Sequence, residues 1–361
     1  MSTHEVLIYQ VNKLDPWPAS DFLEEIHIED YTCAVRKGDY KVGDLIVYIE
    51  PDYVVPDTPE YSFLKGHRRI KVKKLRGKYS MGLIVPAPSG TQVGDNVMEQ
   101  MGIIRWEPEL HTSKGSSRPS GCGIPSGQQA EPPSGIFPRY DVENWRKYGK
   151  HHLVPGEEVF ITEKIHGASG RCVYQGDRLH VGSHNTWKKP GGMKNKQFQA
   201  KKAELQFLRE SGEEVDFNEL QHLSMWWQVV EENPWMEIFC RVYMGIAPYW
   251  EVYGQVQDMK YETTPEDPYC LAVFDLWDSI NHCWLEVDDP RWQDIPLQNR
   301  VPLLYRGPYD SDMIEQLAEG QSTIAFHIRE GCVVKTVPER TIDRFGRGQF
   351  KCVGLGYLER N

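Results

Sequence analysis

Glu157-Glu158-Val159-Phe160-Ile161-Thr162-Glu163-Lys164-Ile165-His166-Gly167 is the stretch on which the fold of this 361-residue chain turns. The apolar, β-prone run Val159–Ile161 reads as a strand, and Lys164 stands at its end just before a glycine that permits a tight turn. A lysine at the mouth of a sheet is partly desolvated, and desolvation lowers its pKa toward the nucleophilic free amine. Taken alone, K-x-H-G fixes little and equally describes a surface lysine in a turn.

Working outward, further charged residues sit inside apolar runs. They are Val181-Gly182-Ser183-His184-Asn185, Trp250-Glu251-Val252-Tyr253-Gly254, Ala272-Val273-Phe274-Asp275-Leu276, Arg329-Glu330-Gly331-Cys332-Val333-Val334-Lys335 and Gln349-Phe350-Lys351-Cys352-Val353-Gly354. A charge buried in a strand is costly unless it is paired. Each of these residues, by itself, is more often a salt-bridged structural group than a ligand-binding one. Their order along the chain makes them one constellation.

That ordered set resembles the covalent nucleotidyltransferase superfamily of ATP-dependent DNA and RNA ligases and mRNA capping enzymes. Lys164 matches the nucleophile of motif I, and His184 lies near motif Ia. Glu251 and Gly254 match motif III, Phe274 and Asp275 motif IIIa, Glu330, Gly331 and Lys335 motif IV, and Lys351 motif V. His166 stands where DNA ligases and capping enzymes usually have aspartate, and K-x-H-G is similar to the phage-type RNA ligase two group, as is Tyr140-Asp141-Val142-Glu143-Asn144. The segments 43–64 and 69–86 and the tail 352–358 resemble deinococcal-type nick-sealing RNA ligases. Two positions depart from the pattern. Relatives often have arginine where this chain has His184, and the K-x-K of motif V is here Gln349 followed by Lys351, with Arg347 nearby.

The resemblance implies an α+β chain: an N-terminal OB-fold β-barrel (1–110), a Gly/Ser/Pro-rich linker (111–135) and an ATP-grasp-like adenylyltransferase domain of antiparallel sheets flanked by helices (136–361). It implies an ATP-dependent RNA ligase that joins 3′-hydroxyl and 5′-phosphate ends, at nicks in duplexes, through AMP carried on Lys164. Lys335 and Lys351 would hold the α-phosphate. Glu163, His166, Gly167, Ser183, His184, Glu251, Phe274 and Glu330 would line the nucleotide, with Phe274 against adenine and Glu163 reading its amino group. Glu251 and Glu330 offer hard oxygen ligands for Mg²⁺ or Mn²⁺, and Glu251 alternatively holds the ribose. A DNA ligase, a capping-type enzyme or an inactive OB-fold nucleic-acid binder are the competing readings. The chain stops at Asn361, ten residues after Lys351. No further OB domain is therefore expected, so metal and lysines would orient pyrophosphate and the divalent-metal requirement would be steep.

The rest of the sequence fits this frame. Strands are expected at Val6–Val11, Asp44–Glu50, Arg69–Leu75 and Gly82–Pro86, separated by Gly/Asp/Pro turns. The segment 111–135 is dominated by serine, glycine and proline, a composition that buries too little apolar surface to offset its ordering entropy. Helices are expected at Lys194–Ser211 and near Asp310–Leu317. The net charge of −11 hides the basic stretch Lys65–Lys78, from which Lys71, Lys73, Arg76 and Lys78 would meet phosphates of RNA or an RNA-containing nicked duplex. None of the eight cysteines forms a C-x-x-C pair, no apolar run is long enough to cross a membrane, and no secretory signal is visible. An intracellular monomer is expected.

Overall fold

The computed structural model describes residues 4–106, 129–193, 195–212, 215, 223–264, 267–343 and 345–360. The N-terminal module contains β1 (Ile8–Gln10), β2 (Leu14–Pro16), β3 (Leu23–Ile28), β4 (Tyr31–Arg36), β5 (Leu45–Ile49), β6 (Tyr53–Val54), β7 (Val72–Leu75), β8 (Lys78–Met81), β9 (Leu83–Pro86) and β10 (Ile104–Arg105). Its two three-stranded sheets run β1-β5-β9 and β2-β3-β4. Strand β5 is buried along nearly its whole length because its alternate residues serve two apolar clusters. Val47 and Ile49 join Val6, Ile8 and Val85, whereas Ile46 and Tyr48 join Ile26, Cys33 and Val72. Of the expected strand Arg69–Leu75, the hairpin ladder begins at Val72, because Arg69 and Ile70 instead pair with Val54 and Tyr53. Its hairpin to β8 turns on Arg76 and Gly77, both at positive φ (52° and 89°), the geometry whose twist suits a two-residue loop.

The larger module contains β11 (Glu143–Asn144), α1 (Lys150–His152), β12 (Glu158–Lys164), β13 (Ala168–Gln175), β14 (Arg178–Ser183), β15 (Trp187–Lys188), α2 (Asn195–Glu210), α3 (Met225–Glu231), α4 (Trp235–Val242), β16 (Ile246–Gly254), β17 (Tyr269–Asp278), β18 (Cys283–Trp284), β19 (Leu303–Pro308), α5 (Ser311–Ala318), β20 (Gly331–Thr336), β21 (Thr341–Ile342), β22 (Gly346–Arg347), β23 (Gln349–Val353) and α6 (Leu355–Glu359). A five-stranded sheet has the order β11-β23-β20-β12-β19, and a six-stranded sheet the order β15-β14-β13-β16-β17-β18. Helices α3 and α4 cover one face of the six-stranded sheet, packing Trp226, Val230, Phe239 and Cys240 on Cys172, Trp250 and Val273. Helix α5 covers the five-stranded sheet with Ile314 and Ala318, four residues apart on one face, and is capped by Asp310, whose side chain accepts from the Asp312 and Met313 amides.

Side-chain alternation then sorts β12. Val159 and Ile161 go to the α5 core with Val334 and Phe350, which turns Phe160, Thr162 and Lys164 toward the other sheet. Lys335 and Lys351 share that face, because Lys335 pairs with Phe160 and Lys351 with Val333, itself opposite Thr162. The cleft between the sheets thus collects the charged ends of β12, β20 and β23.

The modules touch through buried contacts. Lys147 pairs with Glu50 at 2.8 Å, and α6 lays Leu355 and Leu358 on the cluster that contains Val72 and Ile84. Of the expected linker, 111–128 lie outside the described residues, while Gln129 bridges to Lys188 and Ser134 bonds to Gln175. Among the described residues, no helix is long and apolar enough to cross a membrane.

Candidate active site

Lys164 ends β12 with its ammonium 2.7 Å from Glu330, the residue that immediately precedes β20. The antiparallel register sets Lys164 opposite Gly331, so the end of one strand and the start of the other bring amine and carboxylate together. Burial would raise the Glu330 pKa, but the Lys164 charge, with His166 beside it, overcomes that and holds the group down at about 2. Gly331 is required here: at φ +158° it lies against β23, and a Cβ would stand 2.1 Å from the Cys352 carbonyl oxygen.

His166 is 4% exposed, and both of its ring nitrogens are engaged. Nδ1 lies 2.8 Å from the Tyr357 hydroxyl, and Nε2 lies 2.8 Å from Asp258, which Arg360 also holds. The Tyr261 hydroxyl accepts the His166 backbone N–H. Nδ1 is also 3.5 Å from Glu330, so the histidine stands behind the Lys164–Glu330 pair.

Glu251 comes from β16 in the opposite sheet. Burial raises its pKa to about 8; Lys164 opposes that rise and Glu330 adds to it. Gly167 makes the approach possible: a Cβ there would stand 2.1 Å from the Val252 carbonyl oxygen and 2.9 Å from Cγ of Glu251. The turn at Gly167 does not use the left-handed region, so the glycine answers a need for space, not for the conformational freedom the sequence suggested. Two carboxylates beside one ammonium form a hard-oxygen donor set, and burial together with the Glu330 charge pushes the Glu251 pKa up. These residues fit a divalent cation.

Lys335 lies deeper, paired within the protein. Its ammonium donates to Asp275 at 2.8 Å and to the Phe274 carbonyl at 2.9 Å. Asp275 also accepts from Arg347 (2.7 Å) and the Tyr140 hydroxyl (2.8 Å), and burial, which would raise its pKa, is outweighed by the Arg347 and Lys335 charges. A buried ammonium needs an anion, and in this structure β17 supplies it. The Phe274 ring packs 4.5 Å from that of Tyr140, so one of its sides is already occupied.

As the odd residue of β12, Glu163 faces away from the cleft, where it accepts from the Ser322 hydroxyl (2.6 Å) and from the amide (2.8 Å) and hydroxyl (2.6 Å) of Thr323. With both oxygens engaged it holds the 322–323 loop. Ser183 bonds within the turn to Thr186, and His184 sits 3.8 Å from Asp141. Lys351 is brought to the Lys164 end of the cleft, where burial, Arg105 and Lys164 push its pKa down to about 8. Arg105 belongs to β10 of the N-terminal module and bonds to His4. Nothing in the spacing of the sequence announces this pair, or Asp258 and Tyr357, because the contacts cross between elements far apart in the chain.

On the basic N-terminal stretch, Lys73 and Arg76 are exposed and Lys71 half-buried. Lys78 is not a free cation, because its ammonium pairs with Glu25 beside the Trp17 ring. Arg69 is held by Asp52 at 2.7 Å and stacks on Trp106.

Comparison with known proteins gives two family matches. An OB-fold domain family matches residues 6–87, and the RNA ligase family matches residues 157–353. A search of curated proteins returns no significant match. Among solved structures, a Naegleria gruberi RNA ligase with pyrophosphate superposes with a TM-score of 0.71 at 21% identity, covering 98% of this chain and 97% of the other. A lysine-to-alanine variant of that ligase with ATP and manganese gives 0.70 at 21% identity over 99% of each chain. A glutamate-to-alanine variant with AMP and manganese also gives 0.70 at 21%, covering 99% and 98%. At that identity the structures establish a shared fold, and the family match spans more than half of the sequence, from the strand that ends in Lys164 to the one that carries Lys351. The chain belongs to the RNA ligase family.

Proposed function

We propose that the protein is an ATP-dependent RNA ligase that joins a 3′-hydroxyl to a 5′-phosphate at a nick in a duplex, with AMP carried on Lys164. The observation that carries this reading is the 2.7 Å pair of Lys164 and Glu330 at the end of a cleft into which Glu251 and Lys351 also project. The Naegleria ligase of the same fold was solved with ATP, AMP and manganese, which supports the same nucleotide and a divalent ion here. Residues 1–110 would form the nucleic-acid module and 136–361 the catalytic domain.

In the first step the Lys164 ammonium gives up one proton to solvent, and the Nζ lone pair of the free amine forms a bond to the α-phosphorus of ATP. The bond from that phosphorus to the bridging oxygen breaks, pyrophosphate leaves with the electron pair, and the nitrogen sheds a proton. Phosphoryl transfer of this kind asks the protein for in-line positioning and charge compensation. Lys351 offers a cation beside Lys164, and Lys335 can share a phosphate oxygen while Asp275 remains at its side. A divalent cation held by Glu251 and Glu330 would compensate charge on the α-phosphate and compete with the Lys164 ammonium for those carboxylates. In the second step a 5′-phosphate oxygen attacks the α-phosphorus and the P–N bond breaks. In the third, the 3′-hydroxyl attacks the activated 5′-phosphate, and AMP leaves.

The test is incubation with ATP labelled in the α-phosphate. Covalent label on the wild type that is absent from Lys164→Ala supports the reading; a wild type that never takes label overturns it. Nicked duplexes that differ only in the sugars at the two ends then separate RNA from DNA sealing, and GTP in place of ATP tests the capping-type alternative.

A further inference from the structure

The six-stranded sheet ends in the short edge strand β15, and beside it lies a cavity of about 260 Å³ that none of the residues assigned above line. Arg178, His180, Lys188 and Lys189 stand on its wall, with Trp227 and a single acid, Glu131. Arg178, Lys189 and Glu131 are exposed and His180 is half-buried. Lys188 is different: it is 2% exposed. Its ammonium lies over the Trp226 ring at 4.8 Å and, among the described residues, has no hydrogen-bond or ion-pair partner. Its backbone is fixed by pairing with Val181 on one side and Gln129 on the other, so the side chain cannot leave with a flexible loop.

A buried ammonium without an anion is expensive, and folded proteins usually pair it. Elsewhere in this molecule they do: Lys147 has Glu50 and Lys335 has Asp275. Burial lowers the Lys188 pKa to about 8, which leaves it charged at neutral pH and still in need of a counter-ion. An exposed arginine and lysine on the rim of a cavity of this size, with a buried lysine in its wall and aromatic rings beside it, suit a tetrahedral oxyanion.

We infer that this cavity docks a backbone phosphate of the RNA strand. The position of β14 favours a strand over a free nucleotide. It begins at Arg178 on the cavity wall and ends at Ser183, next to His184. Five residue steps at about 3.3 Å each carry it roughly 17 Å. A strand that ran along β14 from its Ser183 end would pass several nucleotides before it reached Arg178. The inference rests on the RNA-ligase reading and adds to it a contact outside the nucleotide pocket.

The experiment is fluorescence-anisotropy binding of a nicked RNA duplex at two salt concentrations to the wild type, to Arg178→Ala/Lys189→Ala and to Lys188→Met. The double variant is expected to bind about tenfold more weakly, and its salt dependence to flatten by about one unit of slope for each cation removed. Lys188→Met is expected to weaken binding in the same direction; if it does not fold, the two exposed cations alone decide. Duplex affinity and salt slope that match the wild type overturn the proposal, as does a double variant that loses affinity for AMP and keeps it for the duplex. Labelling from ATP is followed in parallel. A wild type that takes no label removes the ligase reading, whereas a labelled protein with unaltered duplex binding removes only the phosphate site.

Discussion

The Tyr357 hydroxyl lies 2.8 Å from His166 Nδ1, although 191 residues separate them in the chain. Asp258 lies at 2.8 Å on the other ring nitrogen. The arrangement is self-consistent when Nε2–H donates to Asp258 and Tyr357 donates to Nδ1. The same α6 that carries Tyr357 packs Leu355 and Leu358 on the N-terminal module, so the last helix joins the docking of the two modules to the group behind Glu330.

Removing that hydroxyl is therefore expected to act at a distance from Lys164. In Tyr357→Phe, His166 Nδ1 loses its donor, and the imidazole behind the Lys164–Glu330 pair is held only through Nε2 and Asp258. A hydrogen bond of this kind contributes about 1 kcal/mol, so the thermal midpoint should move little while covalent AMP formation slows up to about tenfold. The check is the rate of label uptake measured beside the melting curve. An unaltered rate would reduce Tyr357 to packing.

Gly167→Ala puts a methyl group where only 2.1 Å separates it from the Val252 carbonyl oxygen. Strand β16 must retreat and take Glu251 with it. Overpacking of this sort costs roughly 1–3 kcal/mol, visible in denaturant titration. The divalent-metal concentration needed for half-maximal adenylylation should rise in the same variant, because one of the two carboxylates has moved.

Much of this site was legible in the sequence because the strands that carry it are strongly apolar and end in charge. The strand ending in Lys164, the Glu330–Lys335 strand and the strand holding Lys351 follow the expected runs, and so do α2 and α5. The helices Met225–Glu231 and Trp235–Val242 escaped notice. The first is buried on nearly every residue and so lacks the polar stripe by which an amphipathic helix is read. The hairpin Leu23–Arg36 was obscured by its acids, one of which, Glu25, is buried because Lys78 reaches it. Side-chain direction was the other loss. Period-two alternation puts Lys164 in the cleft and Glu163 outside it, and a motif quoted as consecutive letters does not carry that distinction.

The raised Glu251 pKa makes stability depend on pH with a definite sign. The folded state retains a proton between the ordinary value of 4.5 and about 8, where the unfolded chain has released it. The native state binds more protons across that window, so this contribution is fully present below 4.5 and is lost as pH rises through about 8. Urea titrations with a chelator present should show the wild type losing stability across that range relative to Glu251→Gln, which has no proton to release. Parallel curves for the two proteins would contradict a buried, protonated Glu251.

The Asp275 cluster offers a test of which partner matters more. Asp275 receives Lys335, Arg347 and Tyr140, so Asp275→Asn leaves the buried Lys335 ammonium without an anion, while Arg347 keeps Glu339. Breaking a buried ion pair by removing one partner costs about 3–5 kcal/mol. Lys335→Met removes only one of the three donors and leaves Asp275 with Arg347 and Tyr140, so its cost should be clearly smaller, offset by an apolar side chain of similar length. Unfolding free energies that place Asp275→Asn well below Lys335→Met would establish Asp275 as the anchor between the sheets. The adenylylation rate separates the second role of Lys335: a variant that keeps its stability and still fails to take label would mean that the lysine also meets the phosphate, with Asp275 holding it in position to do so.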